Sequence, residues 1–165
     1  MLLSGRSIVV TGGNSGIGGA IVLAAAAEGA NVVSDYVAHP EETTSLIDQV
    51  QAAGGHAVGV QAGVAQAGDL AKMMQTAVNT YGRLDVLINN AGIETRTSLL
   101  DTTEADFDKV VAVDPKSAFF GTQATARQFI TQGGGGLVLN ISSVHEDWPM
   151  PGNIAYASRR ARSGC

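Results

Sequence analysis

The stretch Val9-Val10-Thr11-Gly12-Gly13-Asn14-Ser15-Gly16-Ile17-Gly18-Gly19-Ala20 limits the possible folds more than any other part of the chain. An apolar run, Ser7 to Thr11, leads into it, and an alanine-rich run from Ile17 to Glu28 leads out. The first run predicts a buried strand, the second a helix that ends before Gly29. Glycines at 12, 16 and 18 allow the tight turn between them. They also remove side chains where backbone must approach a bulky anion. The helix N-terminus beyond offers free N–H donors and the positive end of its dipole. Strand, glycine turn and helix in this order predict a phosphate-binding βα unit.

The same alternation continues along the chain. Strands are predicted at Asn31 to Tyr36, His56 to Val60, Leu84 to Asn89 and Gly136 to Ile141. Helices are predicted at Glu41 to Ala53, Gly68 to Thr80 and Thr103 to Thr131, the last interrupted by Pro115. Gly54-Gly55, Gly82 and the run Gly133 to Gly136 stand where these helices should stop. Strand and helix in strict turn predict an α/β domain built on a doubly wound parallel sheet, with residues 1–165 forming one domain.

Composition narrows the function. The formal net charge of −5 gives no nucleic-acid footprint. Three of the seven arginines, Arg159, Arg160 and Arg162, fall in the last seven residues, as a solvated end would. Cys165 is the one cysteine, so neither an internal disulfide nor a cysteine-based zinc site is predicted, and no metal is expected. The first residues do not form a secretory signal, and the apolar window Ile21 to Ala27 is too short for a membrane span. A cytoplasmic protein is expected.

The glycine spacing is T-G-x-x-x-G-x-G, from Thr11 to Gly18. Asn89-Asn90-Ala91-Gly92 follows the fourth predicted strand, and Ser142-Ser143-Val144-His145-Glu146 the fifth. Tyr156 lies thirteen residues after Ser143. On these four stations, which span nearly the whole chain, the sequence resembles the short-chain dehydrogenase/reductase family. Ser142 to Glu146 and the strand before it, Gly-Gly-Leu-Val-Leu-Asn-Ile-Ser, look most like the family's bacterial glucose 1-dehydrogenases.

The resemblance implies a Rossmann-type sheet of order 3-2-1-4-5 and hydride transfer between a nicotinamide and an alcohol or carbonyl carbon. It implies cofactor contacts at Gly12, Asn14, Ser15, Gly16, Ile17, Gly18, Asn89, Ala91 and Gly92. Tyr156 would be the general acid/base, and Ser143 would hydrogen-bond the substrate oxygen. A free tyrosine titrates near 10, so a nearby cation is needed to favour phenolate near neutral pH. His145, Glu146 and Trp148 would stand beside a sugar-like substrate, or be ordinary loop residues. The family's partners are a small-molecule substrate and further copies of the chain, with no membrane or nucleic acid.

Cofactor choice turns on the end of the second strand, where an acid would bind a ribose 2′-hydroxyl and repel a 2′-phosphate. Asp35 is near that place, but Tyr36 holds the position where NAD-preferring relatives carry their aspartate. No arginine follows, which leans the choice between NAD and NADP towards NAD. Asp35 as a solvated strand-end acid is the alternative.

The sequence also departs from the family pattern. Arg160 stands where the family has the lysine that holds the nicotinamide ribose and lowers the tyrosine pKa. It keeps the charge but replaces a compact ammonium by a planar fork. Asp114 stands in place of the proton-relay asparagine, and an ionised acid there opposes phenolate formation. Pro115 follows it, and inside a helix a proline costs about 3 kcal/mol. Gly63 stands where relatives place an adenine-contacting aspartate. Family members also run on past the tyrosine through a further helix, two strands and a substrate loop. A truncated form is therefore expected, one that a frameshift near Arg160 would produce. Two functions follow: an oxidoreductase, or a dinucleotide-binding module that does not turn over.

Overall fold

The computed structural model describes residues 1–38 and 40–146, with Gly152 and Tyr156. Arg159, Arg160, Arg162, Trp148 and His39 lie outside the described residues.

The order is β1 (Ser7–Val10), α1 (Gly16–Ala27), β2 (Asn31–Tyr36), α2 (Pro40–Ala52), β3 (His56–Gln61), α3 (Ala67–Tyr81) and β4 (Val86–Asn89). Then come α4 (Glu104–Val113), α5 (Pro115–Thr131), β5 (Leu137–Asn140) and a 3-10 turn at Val144–Glu146. The five strands form one parallel sheet in the order β3-β2-β1-β4-β5, as the family resemblance implies. Element boundaries fall within about two residues of expectation.

Side chains alternate across a strand, so each strand feeds two cores. Ile8 and Val10 of β1 pack with Val32, Val22, Ala25, Ala26, Leu46 and Val50, the layer of α1 and α2. Val9 packs on the other face with Val33, Leu87, Leu70, Met73, Met74 and Ala77, the layer of α3, which α5 also lines. Helices cover both faces, so β1, β2 and β4 are buried along most of their length. β5 is the exception. Its pattern is mostly exposed, with Leu137 51 % and Leu139 42 % accessible, so among the described residues the sheet's far edge is uncovered.

The chain between Thr103 and Thr131 is a correction to expectation. It is two helices, not one helix under strain. Thr103 caps α4, its hydroxyl accepting the Asp106 N–H at 3.1 Å and donating to the Asp106 carboxylate at 2.7 Å. The chain turns at Asp114, and Pro115 is the first residue of α5, where a missing N–H removes no helical bond. The Ser117 hydroxyl donates to the carbonyls of Val113 and Asp114. The cost of a mid-helix proline does not arise.

At the opposite end of the strands, Asp85 ties β1 to the start of β4. Its carboxylate accepts from the Ser7 N–H at 3.0 Å, from Arg6 at 3.0 Å and from Arg83 at 2.6 and 2.8 Å. Burial pushes this carboxyl up, but Arg83, the Ser7 N–H and Arg6 outweigh that and hold it below its usual range.

Candidate active site

The carboxyl ends of parallel strands meet loops on one side of the sheet, the usual place for a ligand in such a fold. Here a cleft of about 940 Å³ opens beside β4 and β5. It is lined by the loop after β4 (Asn89 to Glu94), the α4–α5 junction (Asp114, Pro115), one face of α5 (Ala118, Phe119, Thr122), the chain after β5 (Ile141 to Ser143, His145) and Tyr156. Ile17, 66 % exposed at the start of α1, forms its border with the glycine loop.

The cleft brings together about half of the predicted site: Ile17, Asn89, Ala91, Gly92, Asp114, Ser143 and Tyr156. Ser143 and Tyr156 are both half-buried. The Ser143 Oγ accepts the His145 N–H at 3.3 Å, and the His145 ring meets Tyr156 edge to face, 5.9 Å between centroids. Gly12, Asn14, Ser15, Gly16, Gly18, Asp35 and Tyr36 are not in its lining. They form a neighbouring station around the glycine loop and the end of β2. Arg160 lies outside the described residues, so its place in the site is a matter of sequence alone.

The glycine loop is fixed by its neighbours. Gly12 has φ +62° and Gly16 φ +54°, both in the left-handed region. A Cβ on Gly18 would lie 2.0 Å from the Gly12 carbonyl oxygen, so α1 can approach the loop only with glycine there. The loop after β4 locks on from the other side. Asn90 Nδ2 donates to the carbonyls of Thr11 at 3.0 Å and Gly12 at 3.1 Å. The Thr11 hydroxyl accepts the N–H groups of Asn90 and Ala91, both at 3.0 Å.

This cradle suits an anion. The N-cap of α1, Ser15, makes no side-chain cap bond, and the first turn holds no acid. A Cβ on Gly16 would meet nothing within 4 Å, so the space beside the helix start is open. Open amides, an aligned helix dipole and no side chain in the way fit a pyrophosphate.

Asp35 corrects the expectation of a solvated acid. It is 4 % exposed and turns inward, accepting the Gly12 N–H at 2.6 Å. Burial raises its pKa to about 6, against the lowering effect of the backbone N–H groups of Gly12, Asp35 and Gly13. Tyr36, next to it, is half-buried. Beyond Gly63, the Asp69 carboxylate accepts the Gly63 N–H at 2.8 Å, in the region where the resemblance leads one to look for an acid.

Asp114 is 3 % exposed at the cleft wall, and its Oδ1 accepts the Ile93 N–H at 2.9 Å. Some of this site was not foreseen. Asn89 donates to Asn140 at 2.9 Å and to Thr122 at 3.4 Å, which links the ends of β4 and β5 to α5. Asn140, a polar residue closing an apolar strand, carried a signal, whereas Thr122 carried none.

Known proteins give the family. The family model described as short chain dehydrogenase matches residues 6–161. An uncharacterised oxidoreductase of Methylorubrum extorquens is 37 % identical over 158 residues, 96 % of this chain and 62 % of the relative. The 2-dehydro-3-deoxy-D-gluconate 5-dehydrogenase of Escherichia coli is 37 % identical over 142 residues, 86 % of this chain and 55 % of the relative. A solved short chain dehydrogenase from Mycobacterium avium superposes with a TM-score of 0.91 at 35 % identity, covering 98 % of this chain and 60 % of the other. The chain thus spans a little over half the length of these relatives. Among the described residues, no helix is long and apolar enough to cross a membrane. A family match that runs from before β1 to beyond Tyr156, with a superposition along almost the whole chain, establishes that this protein belongs to the short chain dehydrogenase family.

Proposed function

We propose that residues 1–165 form the dinucleotide-binding and proton-transfer part of an NAD(P)-dependent oxidoreductase, acting between an alcohol and its carbonyl. The observation that carries this reading is the shared cleft of Ser143 and Tyr156 beside Asn89 to Gly92, next to an open helix N-terminus. When bound, a nicotinamide supplies the acceptor or donor of hydride. The chain's own residues do the rest. In the oxidising direction the hydroxyl proton passes to the Tyr156 oxygen as the carbinol carbon gives up hydride. Ser143 hydrogen-bonds the same substrate oxygen. Gly12, Asn14, Ser15, Gly16, Ile17 and Gly18 hold the pyrophosphate side, and Ala91 and Gly92 border the nicotinamide side. The lack of any cation at Val37 and Ala38 favours NAD.

The substrate is a hydroxylated small molecule such as a sugar. Glu94, Asn140, Ser142 and His145 give the cleft polar groups for several hydroxyls, with Phe119 and Ile93 as apolar walls. The sequence likeness of Ser142 to Glu146 to glucose 1-dehydrogenases points the same way, as does the sugar-acid substrate in the name of the E. coli relative. A second reading rests on Arg160 and Asp114: a module that binds the dinucleotide without turnover. One experiment separates the two. The purified chain is titrated with NAD and NADP by calorimetry, then incubated with cofactor and a panel of sugars, sugar acids, alcohols and ketones while 340 nm absorbance is followed. Binding with a substrate-dependent change supports the oxidoreductase. Binding alone supports the module, and no binding of either nucleotide rejects both.

A further inference from the structure

Three buried carboxylates stand out among the described residues: Asp35, Asp85 and Asp114. Asp85 is neutralised by Arg83 and Arg6, and Asp114 lines the cleft. Asp35 has no cation beside it among the described residues. It faces the backbone N–H groups of Gly12, Gly13 and its own residue, and the 2.6 Å bond to Gly12 is the short one. A buried carboxylate without a counter-ion costs stability, and hydrogen bonds from N–H groups offset only part of that.

The charged groups of the surrounding elements do not explain it. α1 carries no titratable side chain, and β1 carries none. On α3, Asp69 is bonded to Gly63 N–H and Lys72 to the Gln61 carbonyl. None of the acids of α2 (Glu41, Glu42, Asp48), His56 of β3 or Tyr36 of its own strand bonds to the Asp35 carboxylate.

What the carboxylate does hold is the first glycine of the loop. Gly12 sits at φ +62°, with its N–H on Asp35 and its carbonyl on Asn90. Its position also sets that of α1, because Gly18 abuts the same carbonyl. Building on the dinucleotide reading above, we propose that Asp35 is a positioning residue for the dinucleotide: it turns the Gly12 N–H inward and so fixes the glycine loop and the open amides at the start of α1. It acts through the loop and not on the ribose.

The test uses the full chain, with NAD as the probe, and two variants. Asp35→Asn keeps an oxygen that accepts the Gly12 N–H, whereas Asp35→Ala removes it. In the ligand-free wild type the Gly12 amide resonance should titrate with a midpoint near pH 6. In Asp35→Asn it should be flat. NAD affinity by calorimetry should stay within about threefold in Asp35→Asn and fall about tenfold or more in Asp35→Ala, the scale of one lost hydrogen bond. A merely structural role would not separate these two folded variants. If Asp35→Ala does not fold, the Gly12 titration and the Asp35→Asn affinity decide. A Gly12 amide that ignores pH in the wild type, or a folded Asp35→Ala that binds NAD like the wild type, overturns the role alone. A wild type that binds neither NAD nor NADP overturns the dinucleotide reading and this role with it.

Discussion

Asp114, at the turn between α4 and α5, holds the Ile93 N–H on its Oδ1 at 2.9 Å. A side chain at a helix junction thereby fixes the loop that follows β4, and that loop walls the cleft. Asparagine has the same acceptor, so the geometry survives the exchange in either direction. Asp114→Asn is expected to keep stability within about 1 kcal/mol. Asp114→Ala leaves a buried N–H without its partner and should cost about 1–3 kcal/mol. Urea unfolding of the two variants checks this. Equal losses in both would show that the bond to Ile93 is not what holds the loop.

Asp35 gives stability a pH dependence of a definite sign. Its carboxyl is raised from 3.8 to about 6 on folding, so the folded state binds the proton more tightly than the unfolded one. Its contribution is therefore fully present below about pH 4 and lost as pH rises through 6. The full span is about 3 kcal/mol. Asp85 acts with the opposite sign. Held below 3.8, it stabilises above that value and ceases to do so as pH falls through its depressed pKa. Asp35→Asn should raise stability by about 3 kcal/mol at pH 7.5 but only by about 1 kcal/mol at pH 4.5, where most of the penalty has not yet set in. Denaturant midpoints at the two pH values test it, and a uniform shift at both would contradict the assignment.

How much of this could be read from the sequence depends on how local the cause is. The five strands and the glycine loop are encoded by contiguous apolar runs and the glycines that end them, so the succession of elements and the fold class were legible, whereas the sheet order came only with the family resemblance. Pro115 was not, because a helical pattern on both sides looks the same whether a proline interrupts one helix or begins a second. The direction of Asp35 was not legible either. Whether a strand-end acid faces solvent or the next loop depends on the register of β2 on β1, Val10 opposite Ser34, which one sequence does not carry. The Asn89–Asn140 bond has the same origin. The two residues are register partners on β4 and β5, 51 positions apart in the chain. The spacing of Ser143 and Tyr156 anticipated that they line one cleft.

Two glycines of the loop should fail in different ways. Gly18→Ala drives a Cβ to 2.0 Å from a backbone oxygen, which no rotamer can relieve. It is expected to cost more than about 3 kcal/mol, beyond the range of ordinary overpacking. Gly16→Ala meets nothing within 4 Å and bears only the strain of φ +54°, about 1–2 kcal/mol. The first variant should be lost from the soluble fraction or melt far below wild type. The second should fold, yet lose NAD affinity, because its methyl fills the open space beside the start of α1. Thermal melts and calorimetry on the same samples separate the two effects. A Gly16→Ala protein that binds normally would place the pyrophosphate elsewhere.

The two halves of the proposed chemistry can be taken apart at Tyr156 and Arg160. Tyr156 shares the cleft with Ser143 and touches the His145 ring. Phenylalanine keeps that ring contact and removes the proton-carrying oxygen. Tyr156→Phe should therefore leave NAD affinity within about twofold and reduce any turnover by at least 10²-fold, the scale of a general acid/base. Arg160→Lys replaces a planar fork by a compact ammonium that fits a tighter space. If the guanidinium limits the site, this exchange raises turnover about tenfold or more, and the pH optimum moves down as phenolate is favoured. If turnover is absent in the wild type and in Arg160→Lys alike while NAD still binds, the arginine is not the obstacle and the non-catalytic module is the better account. Steady-state rates at several pH values, with calorimetry on each variant, supply every comparison needed.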